Sequence, residues 1–280
     1  MLDAATRAIY RELAAWMVAR RRAGRHCPVF GINGAQGSGK STAAAFITKE
    51  LLAAHGLKAA VLSLDDFYLP RAARLQLATG IHPLFATRGV PGTHEVALGI
   101  ATLNALRALQ PGERLAMPRY SKADDDRLPE SCWPTIEGPV DLILFEGWCV
   151  GVPPQATDEL NEPVNELEAG EDADGRWRRH VNAQLGTAYS DWFALIDALV
   201  FLRVPDFECV RRWRWQQEQD TARLAAASAA GLQTRAQLDR FIQHYARLTT
   251  YALRVLPAQA DVLLRLNDKH SVSDLRYRAD

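Results

Sequence analysis

The chain has 280 residues, with 33 Lys+Arg against 33 Asp+Glu and a formal net charge of +0, so it carries no global attraction for nucleic acid or anionic lipid. That balance disfavours a polynucleotide-handling ATPase and favours small-molecule chemistry. The length suffices for a substantial α/β core and no low-complexity linker interrupts it, so a single domain over residues 1–280 is expected.

Ile9, Leu13, Trp16, Met17 and Arg20 recur at three- and four-residue steps, which predicts an amphipathic helix within residues 1–26, packed on a core formed by residues 27–280. Residues 3–25 also hold several arginines and few acids, as an organellar transit peptide would; Asp3 and Glu12 interrupt that pattern, and the helical spacing favours packing. Residues 29–32 form an apolar run that enters GINGAQGSGKST. There Gly34, Gly39, Lys40 and Ser41 satisfy G-x-x-x-x-G-K-[ST], and an alanine-rich, helix-compatible stretch follows. Strand, loop and helix make Gly34, Ala35, Gln36, Gly37, Ser38, Gly39, Lys40, Ser41 and Thr42 a predicted phosphate cradle. Glycines let backbone N–H groups point at phosphate oxygens, and the helix N-terminus favours the anion. Lys40 is expected to reach the β and γ phosphates, and Ser41 a Mg²⁺ ion.

Residues 58–64 are a second apolar run, ending in Asp65, Asp66, Phe67 and Tyr68. In open parallel sheets the ligand crevice lies beyond the carboxyl ends of the strands, so these carboxylates are candidates for chemistry. Residues 70–91 lose periodicity and read as a functional loop; HPLFATRGVPGTHE contains Arg88, His94 and Glu95. A helix over 96–109 follows, then loop or short strands over 112–134, including MPRYSKADDDR. Both polar segments exceed what a connection needs, which suggests acceptor binding or a mobile cover, with surface decoration as the alternative.

A third strand over 140–145 closes in Glu146 and Gly147, and an acid there beside a phosphate loop is the usual partner of Mg²⁺ or its water. The acidic stretch 158–174 reads as a solvated loop, 176–197 as a helix and 198–204 as a fourth strand. Pro205 and Asp206 begin a helix carrying Arg211, Arg212, Trp213, Arg214 and Trp215. Consecutive arginines cannot share one face, so one or two can turn toward a phosphate while the rest are solvated. A helix over 234–256, a fifth strand over 260–266 and a loop at Asn267, Asp268, Lys269 and His270 complete the pattern. Five apolar strands separated by helices predict a parallel α/β sheet covered on both faces.

Cys27, Cys132, Cys149 and Cys209 are far apart with no C-x-x-C pair, which favours buried, reduced thiols; no histidine falls in H-E-x-x-H. No signal core is evident and no run approaches the roughly 18 apolar residues of a membrane span. A cytoplasmic protein without a membrane or nucleic-acid partner is therefore expected. The sequence leaves oligomeric state open.

The ordered motifs GINGAQGSGKST, SLDDFYLP, RGVPGTHE, MPRYSKADDDR, LFEGWCVG and VPDFECVRRWRWQQE resemble the D-glycerate 3-kinase family, a relative of phosphoribulokinase, uridine kinase and bacterial pantothenate kinase. The resemblance covers about residues 29 to 272. It implies a three-layer P-loop NTPase fold with a five-stranded parallel sheet in the order 2-3-1-4-5 and a closing lid around residues 211–214. It further implies ATP and Mg²⁺, a metal role for Glu146, and Asp65 as the base on the acceptor hydroxyl, with Asp66 the lesser candidate. Arg212 and Arg214 become candidate catalytic cations, with the choice between them open. D-glycerate, giving 3-phosphoglycerate, is the implied acceptor. Its carboxylate needs a cation, for which Arg88, His94, Arg119 and Arg127 are candidates, beside Tyr68 and Tyr120. Another acceptor (pantothenate, a nucleoside or a sugar phosphate) remains the serious alternative. A nucleotide switch fares worse, because Asn267, Asp268 and Lys269 do not follow the order of N-K-x-D.

Overall fold

The five parallel strands of the main sheet are apolar on both faces, and this dictates the layering. A computed structural model describes residues 2–24, 27–224 and 234–278. In chain order it contains α1 (Ala4–Ala23), β1 (Val29–Gly34), α2 (Lys40–Phe46) continued by a π-helical turn (Ile47–Leu52), β2 (Ala59–Ser63), α3 (Arg71–Gly80), α4 (Val96–Ala108) and four short strands, β3 (Arg114–Ala116), β4 (Tyr120–Ser121), β5 (Asp126–Arg127) and β6 (Thr135–Glu137). There follow β7 (Leu142–Gly147), α5 (Glu166–Glu171), α6 (Arg176–Gly186), α7 (Ala188–Phe193), β8 (Ala198–Arg203), α8 (Phe207–Leu224), α9 (Arg235–Gln259), β9 (Val262–Leu266) and β10 (Val272–Tyr277).

The main sheet runs β2-β7-β1-β8-β9-β10. Its first five members are parallel and correspond to the expected order 2-3-1-4-5. The sheet has six strands rather than five, because β10 turns back antiparallel to β9. Only Val272 of β10 is fully buried, so no apolar run marks this strand in the sequence. The short β3–β6 and β4–β5 pairs form two separate ribbons.

Side-chain alternation divides the core in two. Phe30, Leu144, Val200 and Leu264 face α1 and α2, whereas Val29, Ile143, Phe145 and Phe201 face α4, α6, α7 and α9. On α1, Leu13 and Met17 are fully buried, each worth about 1.5–3 kcal/mol relative to exposure. Asp3 caps the helix by accepting from the Thr6 amide at 2.7 Å, and Thr6 Oγ1 accepts from the Val272 amide at 3.0 Å. Arg20, expected on the apolar face, instead lies over the Trp16 ring, 4.5 Å from its centroid.

Three segments differ from their sequence reading. Residues 70–91 contain a helix, α3, rather than loop throughout. Residues 176–197 split into α6 and α7 after Gly186. The acidic stretch 158–174 is only partly solvated: Glu168 is 0% exposed and accepts from Arg247 Nη2 at 2.6 Å, while the equally buried Asp172 accepts from Arg178 Nη1 at 3.0 Å. Arg247 arrives from α9, 79 residues away, so local composition could not show that pairing. The four cysteines are free, but Cys132 is exposed and Cys27 half-buried, so only Cys149 and Cys209 meet the expectation of burial. Among the described residues no helix is long and apolar enough to cross a membrane.

Candidate active site

The phosphate loop leaves β1 at the centre of the sheet and returns into α2. Gly37 (φ 74°) and Gly39 (φ 88°) occupy the left-handed region, where a side chain would be strained. At Gly37 a Cβ would also press on Trp213 Cβ, 3.3 Å away. Lys40 Nζ donates to the Ala35 carbonyl at 3.1 Å, so the lysine is folded back over the loop. Burial lowers its pKa, against the raising charges of Glu146 and Asp65. Ser38 Oγ is buried with no hydrogen-bond partner among the described residues, an unmet donor at the loop's centre. Such an orphan suits a phosphate oxygen.

Ser41 Oγ donates to Glu146 Oε1 at 2.8 Å, joining the start of α2 to the end of β7. Glu146 is buried, and this pair offers hard oxygen donors. The pair fits Mg²⁺, which is commonly held by one or two protein oxygens plus phosphate and water. Among the described residues no cluster of three or more His, Cys, Asp or Glu is arranged for a metal.

Beyond β2 the two aspartates diverge. Asp65 Oδ1 accepts from Tyr68 Oη at 2.9 Å, and its Oδ2 lies 2.6 Å from Lys122 Nζ. Burial pushes the Asp65 carboxyl up; the charge and hydrogen bond of Lys122, with Lys40 and Tyr68, outweigh it and hold it at about 2. Burial instead raises Asp66 to about 6 despite the Arg119 charge, and its oxygens are taken by Arg119 Nη1 at 3.0 Å and the Tyr120 amide at 3.2 Å. Asp65 lines the central cleft; Asp66 faces away, toward the β4–β5 ribbon.

That cleft has a volume of about 560 Å³. Residues 36–37 and 39–42, Asp65, Tyr68, Arg88 and Glu146 line it, and Trp148, Phe241 and Tyr245 form an aromatic wall. Arg88 is held by Asp125, the two forming a close ion pair, with its guanidinium 5.7 Å from the Tyr120 ring centroid. Asp125 (φ 52°) also accepts from the buried Arg74 at 2.8 Å, so one carboxylate ties α3, the ribbon and Arg88 together.

Several sequence candidates lie elsewhere. His94 is buried behind Tyr68, stacked on it at 4.4 Å and hydrogen-bonded through Nδ1 to Tyr189 Oη at 2.6 Å; burial lowers its pKa to about 3, so it is neutral and offers no cation. Arg119 is taken by Asp66. Arg127 pairs with Glu95 and donates to the Tyr68 carbonyl at 2.8 Å, fixing the backbone behind the cleft. Tyr120 packs edge-on against Tyr68 and donates to Asp125 at 2.9 Å. These four shape the wall and do not line the cleft, which corrects their expected contact with the acceptor. The cause is the ribbon's fold, which turns Arg119, Tyr120 and Arg127 into its own ion pairs and hydrogen bonds.

At the start of α8 the Asp206 carboxylate accepts from the Cys209 amide at 2.7 Å, the expected cap. Helical spacing then separates the arginines. Arg214 and Trp213 line the cleft, whereas Arg212 points to Cys209 and Asp268, the latter at 3.6 Å, which removes it from the site. Arg211 pairs with Glu208 and Asp239 beside a larger cavity of about 810 Å³ between α8, α9 and residues 155–166. Its size does not make that cavity the reaction site, because it lies apart from the phosphate loop and its arginines are matched by acids. Trp213 stacks on His270 at 3.9 Å, and His270 Nε2 hydrogen-bonds the Gly37 carbonyl, so α8 rests on the phosphate loop.

Lys122, Trp148, Phe241 and Tyr245 were missed from the sequence. Lys122 lies inside MPRYSKADDDR and Trp148 inside LFEGWCVG, both quoted motifs, but no spacing rule points either side chain into the cleft; Phe241 and Tyr245 lie within the long helix predicted over 234–256.

No family model matches the chain. Over 197 residues, 68% of this chain, it is 36% identical to the chloroplastic D-glycerate 3-kinase of Arabidopsis thaliana, a stretch amounting to 41% of the plant protein's own length. It is 34% identical over 230 residues to the uncharacterized kinase mug58 of Schizosaccharomyces pombe, covering 78% of each chain. The solved structure of D-glycerate 3-kinase from Cryptococcus neoformans var. grubii matches with a TM-score of 0.78 at 25% identity, over 97% of this chain and 99% of that one.

Proposed function

The chain belongs to the D-glycerate 3-kinase family of P-loop kinases, and on that premise we propose that it transfers the γ-phosphoryl group of ATP to a hydroxyl of D-glycerate, releasing ADP and 3-phosphoglycerate. Convergence in one cleft of the phosphate loop, the Asp65 carboxylate, the Ser41–Glu146 pair and the Arg88 and Arg214 guanidinium groups carries this assignment.

Phosphoryl transfer is mainly positioning and charge stabilisation. The backbone amides of the loop, with Ser38 Oγ, hold the phosphates, and Lys40 exchanges the Ala35 carbonyl for β- and γ-phosphate oxygens. Ser41 and Glu146 would hold Mg²⁺, which when bound would neutralise phosphate charge. Arg88 pairs with the acceptor carboxylate and thereby fixes which hydroxyl faces the donor. Asp65 takes the proton from that hydroxyl as its oxygen bonds to the γ-phosphorus. The bond from the γ-phosphorus to the bridging oxygen breaks, and ADP leaves with the electron pair. Arg214, carried on the lid helix, supplies positive charge to the transferring group, while Trp148, Phe241 and Tyr245 exclude water.

An acceptor that already bears a phosphate would call for additional arginines. Arg119 and Arg127, the sequence candidates for that task, pair with Asp66 and Glu95 and do not line the cleft, which favours a carboxylate acceptor. The test is a coupled ADP-release assay with D-glycerate, pantothenate, uridine and ribulose 5-phosphate, with the product identified by phosphorus NMR. Turnover with D-glycerate giving the 3-phosphate is expected. Turnover with another acceptor and none with D-glycerate would withdraw the acceptor and keep the kinase.

A further inference from the structure

Lys122 occupies the turn between β4 and β5, and its Nζ lies 2.6 Å from Asp65 Oδ2, on the carboxylate assigned above to the acceptor hydroxyl. The backbone of this turn is anchored. Arg74 donates to the Asp125 carbonyl at 2.8 Å and the Arg71 amide to Asp126 Oδ1 at 3.0 Å. The Lys122 side chain is not confined in the same way: it is 64% exposed, against 31% for Asp65. Arg88, the cleft's other cation on the acceptor side, is 23% exposed and held by Asp125. The two cations thus differ in kind. Arg88 is a fixed fork, whereas Lys122 is a compact charge on a flexible stem, paired with a group whose charge the reaction consumes.

We propose that Lys122 selects a carboxylate-bearing acceptor by passing from Asp65 to the acceptor's carboxylate as Asp65 engages the acceptor hydroxyl. The inference rests on the kinase reading of the same cleft. When the hydroxyl proton moves to Asp65, that carboxylate becomes neutral and Lys122 loses its counter-charge. A 2-hydroxy acid brings a replacement anion in the same event. A neutral polyol brings none, so Lys122 stays on Asp65, competes with the hydroxyl for its lone pairs and stabilises the ionised form that should be giving way. Discrimination against polyols then comes from an uncompensated charge in the cleft and requires no steric clash.

The test compares wild type with Lys122→Met and Lys122→Arg, using D-glycerate and glycerol as acceptors. The two acceptors differ by a carboxylate in place of a hydroxymethyl group. For Lys122→Met, kcat/KM for D-glycerate is expected to fall about 10- to 100-fold, mostly through KM, the range of a charge-assisted hydrogen bond. Turnover of glycerol should hold or rise, KM for MgATP should stay within about twofold, and Lys122→Arg should recover part of the glycerate loss. An equal fall for both acceptors, or a raised KM for MgATP, would overturn the proposal by placing Lys122 on the phosphoryl group or in the fold. Calorimetric titration of D-glycerate and D-lactate into the MgADP-loaded proteins separates this from a failed acceptor assignment. If wild type does not turn over D-glycerate, binding of these acids that Lys122→Met abolishes still supports the proposal, and their failure to bind wild type refutes it.

Discussion

Asp65→Asn is the sharpest perturbation of the cleft, because it removes a negative charge and a proton acceptor while leaving the shape of the side chain. The Tyr68 hydroxyl, now 2.9 Å from Oδ1, can keep its hydrogen bond to the amide oxygen. The amide nitrogen would then face Lys122 Nζ, donor against donor, but that lysine is largely exposed and can turn to water. Loss of this ion pair should therefore cost at most about 1 kcal/mol of stability. Loss of the general base should lower kcat by about 10² to 10⁴, equivalent to about 2.7 to 5.4 kcal/mol of barrier. Nucleotide binding rests on residues 34–42 and should persist. The assay is steady-state ADP release at saturating MgATP and acceptor, with nucleotide affinity measured through quenching of Trp148 and Trp213, which line the cleft. A kcat within threefold of wild type would refute the assignment of Asp65, and an affinity for MgATP reduced in step with kcat would mean that Asp65 serves the donor.

Lys40→Ala removes the cation that spans the β and γ phosphates; at saturating MgATP, kcat should fall at least about 10²-fold, and an unchanged rate would contradict the cradle. Arg247→Met leaves Glu168, 0% exposed, without its partner and frees the carbonyls of Glu159 and Glu162, so chemical denaturation should show a loss of about 3–5 kcal/mol. A loss below about 1 kcal/mol would show that water reaches Glu168. Burial depresses the His94 pKa from an ordinary 6.5 to about 3, so the unfolded chain takes up the proton first as pH falls. The stability His94 contributes is complete above about pH 6.5 and declines between there and pH 3, by about 3 kcal/mol at pH 4. Thermal melts across that range should drop less steeply for His94→Gln; parallel curves would exclude His94 as a source of acid sensitivity.

Much of the donor side was legible in the sequence because it is local. The cradle is a contiguous motif whose glycines are required by backbone conformation, as the positive φ of Gly37 and Gly39 bears out. The sheet order followed from five apolar runs together with the family resemblance, whereas β10 escaped because an edge strand with a single fully buried residue leaves little periodic trace. Glu146 could be found because a strand end places it at the crevice.

The acceptor side was legible only as a region. RGVPGTHE and MPRYSKADDDR each send one cation to the cleft, Arg88 and Lys122, whereas His94, Arg119 and Arg127 do not line it. Each of these side chains finds its orientation through partners distant in the chain: Asp125 for Arg88, Tyr189 for His94, Asp66 for Arg119 and Glu95 for Arg127. The same reason puts Lys122 on Asp65, whereas the turn of α8 separates Arg214, which lines the cleft, from Arg212. By itself the sequence determined a glycine-rich P-loop backbone at the head of a parallel sheet, since that depends on backbone conformation and short-range hydrophobic periodicity. Only the tertiary structure decided which cations meet in the cleft, because charge pairing between distant segments is a property of the folded arrangement.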